Sequence, residues 1–161
     1  MKTLVIYDSA FGNTQKVAEA IGSALNGAEV RHVDQVKPED LGDLNCLVVG
    51  SPTQKQNFTD GMREFLAGIP QKSLSGVKVA AFDTRISIND MQSTMSRFAA
   101  RVFLHRYAAK PIAAALTAKG GVEVIDPAGF FVQDTEGPLK TGELERAAGW
   151  AQQITQTELL I

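Results

Sequence analysis

The sequence predicts an α/β fold, a doubly wound parallel sheet with helices on both faces. Three observations carry that expectation. Short apolar runs alternate along the chain with stretches of helical periodicity, the runs are apolar at consecutive positions, and several end in glycine or small polar residues just before a helix. Strands buried on both faces read in this way, and their alternation with helices is the pattern of parallel βαβ units.

Taken in order, the first strand is Thr3 to Tyr7, and Val17, Ile21 and Leu25, spaced by four, line one face of the first helix. A second strand follows at Val30 to Val33, and Lys37 to Leu41 offers only a short helical turn. The third strand, Cys46 to Gly50, leads to a helix whose buried face carries Met62, Phe65, Leu66 and Ile69. After a fourth strand at Val77 to Phe82, Asp90 to Lys119 reads as a long helix with a break near His105 to Tyr107 or at Pro111. Gly120-Gly121 is its stop signal. The fifth strand is Val122 to Ile125, with a further short piece at Phe130 to Gln133. A last helix from Thr141 to Thr157 presents Leu144, Ala147, Ala148, Ala151 and Ile154 as its stripe.

At 161 residues the chain suits one domain, 1–161, with a core that needs no metal or disulfide. Sixteen basic against eighteen acidic residues give a net charge of -2, which offers no global field for nucleic acid. The one cysteine, Cys46, lies in the apolar run CLVVG and reads as a buried small hydrophobe. With no stretch of about eighteen apolar residues and a strand directly at the start, a cytoplasmic protein is the expectation.

In doubly wound folds ligands bind outside the carboxyl ends of the strands, so the loops after strands one, three and four matter most. The first, Ser9 to Thr14, runs from strand to helix and brings unpaired backbone N–H groups to the positive end of a helix dipole. Ser9 and Thr14 add hydroxyls, Asn13 an amide, and Gly12 lets the backbone curl inward. Such a loop suits a phosphate; a simple helix cap by Ser9 or Asn13 explains the same residues. The P-loop pattern GxxxxGK and the dinucleotide pattern GxGxxG are both absent.

SAFGNT at 9–14 resembles the FMN-phosphate loop of flavodoxins, and GSPT at 50–53 resembles the start of their first ring-contacting loop. FDTR at 82–85 stands where the second ring loop would, and EGPL at 136–139 is similar to a stretch found in a flavodoxin-like subgroup. The resemblance implies a flavodoxin-like sheet of five strands in the order 2-1-3-4-5 and FMN as cofactor. The phosphate would lie on Ser9, Ala10, Phe11, Gly12, Asn13 and Thr14, largely through backbone donors. The ring would lie between two segments, Pro52, Thr53, Gln54, Lys55, Gln56, Asn57 and Phe58 on one side and Asp83, Thr84, Arg85 and Ile86 on the other.

Three departures from the family pattern carry expectations of their own. Phe11 replaces a hydroxyl in the phosphate loop, and the ring loops lack the usual tryptophan and tyrosine, leaving Phe58 as their one aromatic. An aromatic partner contributes on the order of 0.5–1.5 kcal/mol beyond area burial, so FMN binding looser than in typical flavodoxins is expected. Lys55 and Arg85 stand near the ring without an acidic cluster, Asp83 and Asp90 being the only acids near the third loop. A nearby cation favours the reduced anion by about 1 to 4 kcal/mol, which implies a higher second-electron potential. Finally, Thr53 to Phe58 has no glycine whose peptide can turn over toward flavin N5, and Asn57 is the residue best suited to left-handed geometry in its place.

His32 and His105 have no ligand-spaced partners and read as structural or surface residues, as does Trp150 in the last helix. Arg97, Arg101, His105 and Arg106 fall at helical spacings as a basic stripe, either a solvated face, a surface for an acidic redox partner or a contact for a phosphorylated substrate. The function implied is that of an electron carrier serving redox partner proteins, with no catalytic side chain and no metal. An FMN-dependent NAD(P)H or quinone reductase, or a module that has lost its flavin, stay open as alternatives on the same fold.

Overall fold

The computed structural model describes residues 2–87 and 106–157. Its strands are β1 (Thr3–Tyr7), β2 (Glu29–His32), β3 (Cys46–Pro52), β4 (Lys78–Ile86), β5 (Val122–Glu123) and β6 (Ala128–Val132). Its helices are α1 (Asn13–Ala24), α2 (Asp60–Gly68), α3 (Ala109–Ala118) and α4 (Glu143–Gln156), with short 3-10 turns at Val33–Gln35 and Pro38–Leu41. The strands form one parallel sheet in the order β2-β1-β3-β4-β5 that the sequence predicts, and β6 also pairs with β4.

Neighbouring residues of a strand point to opposite faces, so the central strands need apolar residues at every position. Leu4, Ile6, Leu47, Val49, Val79 and Ala81 build one core with Met62 and Leu66 of α2 and Ile112 and Leu116 of α3. Val5, Val48, Ala80 and Phe82 build the other with Val17 and Ile21 of α1 and Ala147 and Ala151 of α4, and Cys46 is buried among them. Each fully buried Leu, Ile or Val contributes about 1.5–3 kcal/mol relative to exposure. Gly50 is glycine for a packing reason, because a Cβ there would sit 2.1 Å from the Phe82 ring.

The far edge of the sheet differs from the sequence expectation. Only Val122–Glu123 pairs as β5, at the amino end of β4, and both residues are exposed. The piece expected at Phe130 to Gln133 is the more substantial strand, β6, and it pairs with Phe82 to Ile86 at the carboxyl end of β4. Pro127, which lacks the N–H a ladder needs, separates the two segments. Of the long helix expected from Asp90, residues 88–105 lie outside the described residues. The remainder is α3, and Pro111 sits in its first turn, where a missing N–H costs nothing. It stops as expected, with Gly120 at φ 104° and bonds from Gly120 N to Thr117 O (3.0 Å) and Gly121 N to Leu116 O (3.1 Å).

The stripe of α4 is also rotated. Ala147, Ala151 and Ile154 are buried, but Leu144 is 39 % exposed and Trp150 takes an inner position. Trp150 meets Phe82 and Phe130 edge to face at 6.3 and 6.1 Å and donates from Nε1 to Asp126 O (3.2 Å). A ring with two aromatic partners and a satisfied N–H outweighs one leucine in setting which side of the helix faces in.

Candidate functional site

Loop one runs from the end of β1 to the start of α1 and is anchored by Asp8. The Asp8 Oδ1 atom accepts from Ser9 N (2.9 Å) and lies 3.1 Å from His32 Nε2, and its Oδ2 accepts a short bond from the Thr59 hydroxyl. Asp34 N donates to His32 Nδ1 (3.1 Å), so the proton of the neutral ring sits on Nε2 and is given to Asp8. Thr59 in turn caps α2 by accepting from Met62 N (3.1 Å). His32, read as structural or surface, thus ties β2 to the loop.

Beyond Ser9 the chain turns through Gly12, whose φ of 89° only glycine adopts freely, and Gly12 N donates to Ser9 Oγ (3.0 Å). The backbone N–H groups of Ala10, Phe11, Asn13, Thr14 and Gln15 make no hydrogen bond among the described residues. They gather at the positive end of α1, where an anion is favoured. Asn13 is not the cap considered above; its amide donates to Glu136 O (3.1 Å) and holds the loop after β6 against loop one. Thr14 and Thr84 share a hydroxyl bond of 2.8 Å, so whichever donates, the other keeps an O–H for a ligand.

Thr53 follows β3 and is fixed from two sides, by its N–H on Thr84 O (2.9 Å) and by its hydroxyl, which accepts from Ala108 N (3.0 Å). Then Gln54 and Asn57 exchange both backbone bonds (2.8 and 3.0 Å) around Lys55 and Gln56, at φ 50° and 67°. The left-handed residues are therefore Lys55 and Gln56, not Asn57 as expected; the Asn57 side chain accepts from Phe58 N (2.8 Å) instead. A two-residue turn closing this way needs positive φ at both central positions, and tight pairing here overrides their preference. Phe58 packs against the core beneath α2, with the Arg63 guanidinium 5.0 Å from its ring centre.

On β4, Asp83 has no exposure at all and receives Arg85 Nε and Nη2, both at 2.6 Å, together with Ala109 N (2.9 Å) at the start of α3. Burial raises the Asp83 carboxyl above its ordinary value, while the Arg85 bonds and the Ala109 N–H pull the other way. The Arg85 guanidinium lies 3.6 Å from the centre of the Tyr107 ring. The Arg85 charge read as a free cation near a ligand is thus matched by a carboxylate directly under it.

One cleft collects Ala10, Phe11, Asn13 and Thr14 with Pro52, Thr53 and Gln54 and with Thr84, Arg85 and Ile86. It lies outside the carboxyl ends of β1, β3 and β4, beside the switch in strand order. Lys55 and Gln56 line an adjoining hollow that shares Thr53, Arg85 and Ile86, and Asn57 lines a further one. Phe58 and Asp83 line none of these, and Ser9 and Gly12 serve the loop from within. Sequence reasoning missed Val132 and Thr135, which close the cleft from the β6 side, and Tyr107, the aromatic beside Arg85. EGPL was the available signal for the first pair; nothing in the sequence placed Tyr107.

The sequence pattern of the family described as "Flavodoxin domain" matches residues 4–123. The chain belongs to that family. It is 44 % identical over 69 residues to a flavodoxin of Aquifex aeolicus (strain VF5), a match covering 40 % of this chain and 37 % of that relative's length. A flavodoxin from the domain Archaea has a similar structure at 22 % identity, with a TM-score of 0.75 over 98 % of this chain and 99 % of that one. Oxidised flavodoxin 2 from Bacillus cereus superimposes with a TM-score of 0.72 at 18 % identity, over 97 % and 99 % of the two chains. Flavodoxins carry FMN. Five free N–H donors at a helix start, next to a cleft between two further loops, fit the phosphate and ring of that group.

Proposed function

We propose that this flavodoxin-family chain binds FMN in the cleft and works as an electron carrier between redox partner proteins. The observation behind it is that the free N–H groups of loop one share one cleft with Pro52 to Gln54 and Thr84 to Ile86. FMN supplies the electron-accepting ring when bound. Loop one would hold the phosphate through the N–H groups of Ala10, Phe11, Asn13, Thr14 and Gln15, and Asp8 keeps that loop in register with α2. Thr53, whose N–H donates to Thr84 O, and Thr84, whose hydroxyl pairs with that of Thr14, would set the width of the ring cleft. Lys55 is exposed at the tip of its turn, open to solvent and to a partner.

Binding is looser than in flavodoxins that stack the ring on aromatic residues. Phe58 is committed to the core and Tyr107 to Arg85, so the two stacking contributions of about 0.5–1.5 kcal/mol each are missing. The test is a visible spectrum of the purified protein with added FMN, taken before and after NADPH. A bound-flavin spectrum that NADPH alone leaves oxidised supports a carrier. Rapid bleaching makes the protein a self-sufficient reductase, and failure to take up FMN makes it a module without flavin. Low-nanomolar affinity would overturn the statement on stacking.

A further inference from the structure

On the α3 side the cofactor cleft continues into two hollows, and every charged side chain among their described lining residues is cationic: Lys55, Arg85, Arg106 and Lys110. The chain as a whole is acidic, at -2, so this is a local reversal and not its average. Arg85 is matched by buried Asp83, but Lys55, Arg106 and Lys110 are exposed and make no ion pair among the described residues. Thr53, Arg85 and Ile86 belong both to the cofactor cleft and to the nearer hollow, which puts the cations at its mouth.

We propose that this cationic mouth is the docking surface for the acidic face of a redox partner protein. The inference rests on the carrier reading above. Exposed cations on long side chains are poorly fixed for gripping one small anion, but they raise the encounter rate with a negative surface and orient it. The acidic remainder of the chain repels the same partner elsewhere, so productive encounters concentrate where the flavin edge would be reached. Arg106 precedes α3 and Lys110 lies in its first turn, and because both line one hollow they can meet one partner surface together.

Two measurements test it, one of them independent of FMN. First, binding of poly-L-glutamate and of poly-L-lysine to the chain without cofactor is measured by calorimetry, for wild type and for Arg106→Glu/Lys110→Glu. Binding of the polyanion that falls at least about tenfold in the double variant and fades above 0.1 M salt is expected. Preference for the polycation, or polyanion binding untouched by the substitutions, overturns the proposal. So does saturable one-to-one binding of inorganic pyrophosphate at the same residues, which would make the hollow a small-anion site. Second, the FMN-loaded, chemically reduced protein is oxidised by acidic cytochrome b5 and by basic cytochrome c. The rate with cytochrome b5 should fall with salt and in the double variant; a rate higher with cytochrome c and steeper in salt refutes the docking surface while leaving the FMN carrier intact. Failure of FMN uptake refutes the carrier, and the first measurement still decides the surface.

Discussion

Asp83 lies fully buried beneath Arg85 and accepts two guanidinium bonds of 2.6 Å while also receiving the first N–H of α3. One carboxylate therefore holds both a cleft residue and the helix behind it. Asp83→Ala leaves Arg85 without its counter-charge and Ala109 N without an acceptor. Removing one partner of a buried pair costs about 3–5 kcal/mol, and Arg85 can recover part of that by turning to water. The expected loss is about 3 kcal/mol by urea unfolding, and a loss below about 1 kcal/mol contradicts the role given to this pair.

Thr59 joins two structures with one hydroxyl, donating to Asp8 at the root of loop one and accepting from Met62 N at the start of α2. Thr59→Ala costs about 1–2 kcal/mol, since the cap and the carboxylate partner go together. Because the two residues touch, Asp8→Ala and Thr59→Ala should not add. A double-mutant cycle on unfolding is expected to give a coupling of about 0.5–3 kcal/mol, and additivity within experimental error removes the anchor from the account.

The contrast between these pairs and the sheet shows what a sequence displays. β1 and β3 announce themselves because both faces of each are buried, and consecutive apolar residues are local information. Loop one is legible for a similar reason, since Ser9, Gly12 and Thr14 act within a single strand-to-helix turn. The bond between Asp8 and His32 spans 24 residues and exists only because β1 and β2 pair in register with Tyr7 opposite His32. Tyr107 is hidden in the same way, because nothing near it in the chain announces Arg85. Val122 to Ile125 marked the place of the fifth strand but not its length: β5 is Val122–Glu123, with Val124 N still bonded to Val79 O (3.2 Å), and its edge position leaves Val122 52 % exposed.

Glu143 begins α4 with its carboxylate held by Arg146 through Nε (2.9 Å) and Nη2 (2.6 Å) and by Phe131 N (2.7 Å). The Arg146 bonds, aided by the Phe131 N–H and opposed by burial, hold its pKa below the ordinary value of 4.5. The folded pKa is the depressed one, so the stabilisation is complete above the unfolded value of 4.5 and is lost as pH falls through the folded value. Glu143→Gln should therefore unfold at lower urea than wild type near pH 7, with the gap closing as pH falls below 4.5. A gap that stays constant to pH 3 would mean that the loss is one of packing and not of charge.

Phe11 is 53 % exposed, lines the cofactor cleft and offers its backbone N–H but no side-chain donor. Phe11→Thr restores a hydroxyl at the position where the family commonly carries one, next to the free N–H groups of Ala10 and Asn13. A hydrogen bond to a charged group contributes about 1.5–3 kcal/mol when well formed, and the open edge of the loop lets water reduce it. FMN should therefore bind about tenfold more tightly, measured by fluorescence quenching on titration of the apoprotein. Fold stability should move by less than about 0.5 kcal/mol, because the ring is largely in water. Weaker FMN binding by Phe11→Thr would show instead that the exposed ring covers the cofactor, and the aromatic at this position would then compensate for those absent from the ring loops.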